Sequence, residues 1–171
     1  MKLFQNKYFS IVWTALRIWL GYQWISSGWE KVTGPGWVGS TAGVGITGFL
    51  KGAIAKTGGA HPAVQGWYGS FVKNVALPNA IVFSYMITFG ELLVGISLIL
   101  GALTVVGLIA GAFMNLNYLL AGTTSTNPNM YTIAFILLLV GANAYVIGLD
   151  HYILPFLKKG SHSKNDVQEF A

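Results

Sequence analysis

Two residues of opposite charge interrupt apolar runs in this chain. Arg17 lies within FSIVWTALRIWLGYQWISSG, and Glu91 within FSYMITFGELLVGISLILG. A lone charge at the centre of a bilayer costs about 2.5–3.5 kcal/mol on insertion scales, so ionisable residues inside such runs are paired, functional or both. A buried carboxylate can take up or release a proton, and a guanidinium can hold an anion. If the two runs cross a membrane in opposite directions, Arg17 lies about 12 Å from the cytoplasmic end of its helix and Glu91 about 15 Å from the same side. The two charges then fall at nearly one level. The expectation is an Arg17–Glu91 ion pair inside the bilayer, with both residues as catalytic candidates.

Helical spacing gathers further polar and small residues beside them. Arg17, Gly21, Trp24, Gly28 and Lys31 share one stripe of the first apolar run. Ser84, Thr88, Glu91 and Gly95 share a face of the second. In the third, Gly107 and Gly111 form a small-xxx-small pair with Tyr118 on their stripe, flanked by Asn115 and Asn117. In the fourth, Asn143 and Asp150 align. Each run has one polar or small face, which describes a bundle turned polar side in. For the asparagines and Asp150, interhelical hydrogen bonds that fix register are the simpler reading. No metal or haem is predicted: His61, His151 and His162 are scattered, with no ligand spacing on one helix. His61, followed by Pro62, reads as a capping or interfacial histidine. There is no nucleotide fingerprint and no credible Ser/His/Asp set.

The elements that must position these residues follow from composition. The chain has 171 residues, 54% hydrophobic and only 9% charged, with a mean hydropathy of +0.59. Soluble domains carry about 25% charged residues. An all-α integral membrane protein is implied, because only helices and closed barrels satisfy every backbone group in lipid, and the runs are long and not alternating. A single membrane domain, 1–171, is expected to form an antiparallel bundle of four transmembrane helices. The spans are about 9–28, 79–101, 103–121 and 130–149, with a long outer loop at 32–78 and a tail at 155–171. Two short amphipathic helices are expected in that loop, within ITGFLKGAIAK, where Ile46, Phe49, Leu50 and Ala53 recur at helical spacing, and within VQGWYGSFVKNV, where Val64, Trp67, Tyr68, Phe71, Val72 and Val75 do so, with Pro62 suited to a first turn. They lie either at the membrane interface or as a cap over the bundle. Trp29, Trp37, Trp67 and Tyr68 suit interfacial depth.

The net charge is +5. Lys2, Lys7, Lys158, Lys159 and Lys164 sit at the two ends, so the positive-inside rule puts both termini in the cytoplasm of a multi-pass plasma-membrane protein. These lysines read as topology signals and lipid contacts, not as a nucleic-acid surface. With no cysteine, the chain itself carries no disulfide, thiolate metal site or persulfide chemistry.

The stretch RIWLGYQWISSGWEK, with Arg17, Leu20, Gly21, Trp24, Gly28 and Lys31, resembles the opening signature of the DoxX/DoxD family. GELLVGISLILG, with Glu91, Gly95 and Gly101, is similar to that family's second helix. The extended, tryptophan-rich first loop looks more like the DoxD branch. The resemblance implies a small membrane protein tied to quinone-dependent redox chemistry, the DoxD branch being a subunit of a thiosulfate:quinone oxidoreductase. It supplies no catalytic residue set.

A quinone headgroup needs hydrogen-bond donors, flat or apolar walls and a proton route. Arg17, Tyr22 and Trp24 offer donors from one helix, Lys31 offers an anion contact with Arg17, and Asn115 and Tyr118 offer polar groups from the third run. Membrane quinone is then a substrate, not a resident cofactor, and thiosulfate or another small reductant supplies the electrons. Two other readings stay open: a non-catalytic anchor for a soluble redox partner subunit, and a small transporter. A homo-oligomer is compatible with each.

Overall fold

The computed structural model describes residues 7–144, 146–153 and 155. The tail with Lys158, Lys159, His162 and Lys164 lies outside the described residues, as do Lys2 and the side chain of Lys7. Every regular element among the described residues is helical. The order is α1 (Lys7–Thr33), α2 (Val44–Ala55), α3 (Gly66–Phe71), α4 (Ala80–Leu100), α5 (Thr104–Leu120) and α6 (Asn127–Val140). Short 3-10 turns occupy Gly39–Thr41 and Gly141–Ala144, and a π turn at Val72–Ala76 extends α3. Helix α4 is long and apolar enough to cross a membrane by length and composition, and α5 is a shorter apolar helix of 17 residues.

The longest contact runs between α1 and α4, which lie antiparallel. Glycines set their register. A Cβ on Gly21 would meet the Gly95 carbonyl at 2.9 Å, one on Gly28 would meet Leu92, and one on Gly95 would collide with Ile25. Small residues at these positions let the two backbones approach closely, and dispersion along the seam then holds them without a solvent-driven term. Helix α5 packs on α4 and α6, and α6 returns to α1. Trp24, Val94, Leu98, Leu108, Ala134 and Leu137 fill the centre of these four helices.

Charged residues lock one end of this arrangement. Helix α4 stops at Gly101, whose φ of +63° suits a residue without a Cβ. The chain reverses through Leu103 into α5. Asp150, 2% exposed, accepts the Leu103 and Thr104 backbone N–H groups, each at 2.7 Å. It caps α5 from a distant part of the chain, since Leu103 has no side chain to do so. Arg17, also 2% exposed, donates to the Ala144 carbonyl at 3.0 Å and the Ile147 carbonyl at 2.7 Å. Its guanidinium packs against Gly101 and Gly148, where a Cβ on either would strike it. Asp150 is the carboxylate whose charge acts on Arg17.

The fourth apolar run does not continue as one helix to residue 149. It leaves helical geometry at Gly141 (φ +63°) and passes through a 3-10 turn. Asn143 and Asp150 therefore do not share a helix face. The bend brings the segment around residue 148 against the α4–α5 corner, where Leu149 and Asp150 donate to the carbonyls of Leu100 and Gly101.

The long connection folds inward as a cap. Helix α2 buries Ile46, Leu50 and Ala53. Val64, Tyr68, Val72 and Ala76 form the buried stripe of the second segment, while Trp67, Phe71 and Val75 face outward. Of the six residues expected at helical spacing, Val64, Tyr68 and Val72 turn inward while Trp67, Phe71 and Val75 do not, and α3 begins after Gln65, beyond Pro62. Together these residues make a second core with Phe83 and Ile87 of α4 and Leu120 and Ala121 at the end of α5. Tyr68 is buried in this core, while Trp29 and Trp67 are exposed.

If the glycine seam sets the α1–α4 register, Gly95→Ala should lower unfolding stability by roughly 1–3 kcal/mol, the usual cost of overpacking. Gly52→Ala, on α2 with open space around it, should instead gain roughly 0.5–1 kcal/mol from helix propensity. Thermal unfolding of the purified protein in detergent measures both.

Candidate functional site

The seam determines which charges meet. With Gly21 opposite Gly95 and Gly28 opposite Leu92, Arg17 falls opposite Gly101 and Lys31 falls opposite Glu91. Ten residues of α4, about 15 Å, separate Glu91 from Gly101. The expected Arg17–Glu91 pair therefore does not form. Placing the two residues at one depth rested on counting each from the end of its apolar run. Helix α1 extends past that run at its far end, to Thr33, and the glycine contacts slide Arg17 down to the α4–α5 corner.

Glu91 has two other partners. Lys31 donates to Oε2 at 2.7 Å, and the Tyr118 hydroxyl donates to Oε1 at 2.7 Å. The carboxylate is 1% exposed and the lysine side chain 18%. Lys31 also lies 5.0 Å from the centroid of the Trp37 ring, a cation–π contact that steadies its ammonium. Three elements thus meet at one carboxylate: the end of α1, the middle of α4 and the end of α5. Each carboxylate oxygen has a donor, which is what a buried charge requires.

Two more buried polar side chains lie one turn away. Thr88 precedes Glu91 by three residues on α4, and Asn115 precedes Tyr118 by three on α5. Both are fully buried, and neither the Thr88 hydroxyl nor either end of the Asn115 amide has a protein partner. Their hydrogen-bonding capacity is available to a small guest molecule. Trp24 packs its indole against Gly111, where a Cβ would lie 3.0 Å from its ring nitrogen. It forms the wall beneath this layer. Tyr22 is 61% exposed on the opposite side of α1 and takes no part. Arg17 and Lys31 lie fourteen residues apart on one helix, about 20 Å, so they do not share an anion.

Beside this cluster is a cavity of about 530 Å³, bounded by α4, α5 and the cap. The sequence did not reveal it. Its walls are apolar except for Tyr68, Asn117 and Tyr118. Tyr118 therefore belongs both to the cavity wall and to the Glu91 cluster. Phe49 of α2 meets its ring edge-to-face at 6.0 Å. The Tyr68 hydroxyl donates at 3.1 Å to the Asn117 carbonyl and side-chain oxygens, tying the cap to α5. Burial pushes the Tyr68 phenol above its ordinary pKa, so it stays a neutral donor. Met86, Leu93 and Phe113, all lining the cavity, are themselves largely exposed. They mark an opening sideways between α4 and α5.

The family model DoxX matches residues 12–124. The chain belongs to the DoxX family. The matched stretch holds most of α1, the cap, α4 and α5, and so every residue of the Glu91 cluster and of the cavity wall lies in the DoxX domain. Helix α6 follows it. No curated protein and no solved structure matches the chain. With its apolar helices, this DoxX protein is of a membrane-associated type.

A buried pair is most sensitive to loss of one partner, because the other charge is left unpaired. Lys31→Met and Glu91→Gln should each cost about 3–5 kcal/mol, and the double variant should recover much of that. Unfolding free energies in a double-mutant cycle measure the coupling, and additive losses would mean that the contact contributes nothing.

Proposed function

We propose that this DoxX protein is a DoxD-like membrane subunit that reduces quinone in the plasma membrane. In this reading α1, α4, α5 and the α6 segment cross the bilayer. Both termini face the cytoplasm, and the α2–α3 cap lies on the outer side. The observation that carries the reading is the position of Tyr118, in the wall of a lipid-facing apolar cavity and hydrogen-bonded to an ion-paired carboxylate.

A quinone ring is flat, uncharged and apolar at its faces, with two carbonyl acceptors. The cavity volume falls in the range of small-molecule sites, and its walls suit such a ring and the first part of its tail. The mouth between α4 and α5 lets the remaining tail stay in lipid. Tyr118 is the donor to one carbonyl. Reduction to quinol takes two electrons and two protons. With Glu91 protonated, its carboxyl donates to the phenol oxygen and the phenol turns its own hydrogen to the quinone. One proton then moves from Glu91 through Tyr118 to the nearer oxygen of the reduced ring, Lys31 stabilises the carboxylate left behind, and the second proton reaches the other oxygen from water. Two thiosulfates joining through a new S–S bond as tetrathionate, or one small two-electron reductant, supply the two electrons from the cap side. Arg17 has no part in this chemistry: with Asp150 it holds the opposite end of the helices together.

Quinone titration of the purified protein tests this reading. Tyr118→Phe should weaken binding by roughly three- to tenfold, the worth of one hydrogen bond. Gly90→Leu, which fills the cavity from α4, should abolish binding while the protein stays folded. Quinone affinity unchanged in both variants would exclude the cavity as the site.

A further inference from the structure

Proton uptake at Glu91 needs a route to water, and the structure offers routes of very different quality in the two directions. Toward the cap, one side chain separates Glu91 from the surface. Lys31 is bonded to the carboxylate and is itself partly exposed, and its sequence neighbour Glu30 is exposed and acts electrostatically on Glu91. Toward the far end, about 15 Å of packed helix intervenes. The buried residues there include Leu20, Gly21 and Trp24 of α1, Val94, Gly95 and Leu98 of α4, Gly107, Leu108, Gly111 and Asn115 of α5, and Ala134 and Leu137 of α6. None is titratable. The next buried ionisable groups are Arg17 and Asp150, both committed to backbone partners. The groups that face Glu91 are thus Lys31 and Glu30 from α1 and Tyr118 from α5.

We infer that proton exchange at Glu91 is one-sided and runs through Lys31 to the face that carries the α2–α3 cap. The ammonium gives a proton to the carboxylate, and the amine is recharged from water on that face. This direction of exchange is independent of what occupies the cavity. It becomes the proton supply for quinone only on the reading given above. Each quinone reduced there would draw the proton delivered by Tyr118 from the cap side and not from the side of Arg17.

The test uses the full chain in lipid vesicles of one orientation, with the infrared carbonyl band of protonated Glu91 as readout. Glu91→Gln identifies the band by removing it. A drop in pH on the cap side should raise the band promptly, and the same drop on the opposite side should leave it unchanged until the gradient leaks. Lys31→Arg keeps a cation beside Glu91 but cannot give up its proton, so it should slow the cap-side response by roughly tenfold or more. An equally fast response from the opposite side would overturn the inference, as would wild-type speed in Lys31→Arg. Quinone titration of the same vesicles is a separate readout: its failure would remove the quinone reading and leave one-sided exchange standing.

Discussion

The contact on which the site depends is a carboxylate taken out of water and given a donor on each oxygen. Glu91 is held by Lys31 and Tyr118, from helices far apart in sequence. Desolvating two charges costs several kcal/mol per ion, and attraction offsets this only when the geometry is good and the remaining lone pairs are satisfied. Both conditions are met here at 2.7 Å. The pair in turn depends on the glycine seam between α1 and α4. A bulkier seam would push the helices apart and carry the ammonium out of reach of the carboxylate.

Among the described residues, the same seam separates the buried charges into two groups with different work. At one end, Arg17 and Asp150 satisfy backbone groups left open where α4 gives way to α5 and where α6 unwinds. Every charged bond there goes to the main chain, which is the pattern of a structural clasp. At the other end, Glu91 bonds only to side chains, which can change partners and protonation. Chemistry belongs where the hydrogen bonds can rearrange.

Much of the fold was legible because it follows from composition and helical period. Low charge and long apolar runs imply helices, and the small-residue stripe of Gly21 and Gly28 marks the face that α4 approaches. Glu91, Lys31 and Tyr118 were each singled out from sequence, but their meeting was not. Depth counted from the ends of apolar runs carries an error of several residues. Here that error is about 15 Å, nearly three turns, and it puts Lys31 in the place expected of Arg17. Tyr22 was misplaced by its neighbourhood: it adjoins Gly21 in sequence but points 100° away on the helix. The cavity was illegible for a different reason. It is made by the cap folding back over α4 and α5, and a tertiary closure of that kind leaves no local pattern. Val64, Tyr68 and Val72 were legible at helical spacing, but so were Trp67, Phe71 and Val75, and spacing alone did not say which half of that wide stripe turns inward.

Membership of the DoxX family places the cluster and the cavity inside the matched domain, and the cavity supplies what an ion pair alone lacks, a place for an apolar guest beside an exchangeable proton. Photo-crosslinking with an azido-quinone in native membranes, followed by peptide mass spectrometry, tests that juxtaposition most directly. The account predicts label on α5 and α4 around Phe113, Met114, Tyr118 and Met86, and its loss when excess unlabelled quinone competes. Label confined to the neighbourhood of Tyr22, or to the Arg17 end of the helices, would contradict it.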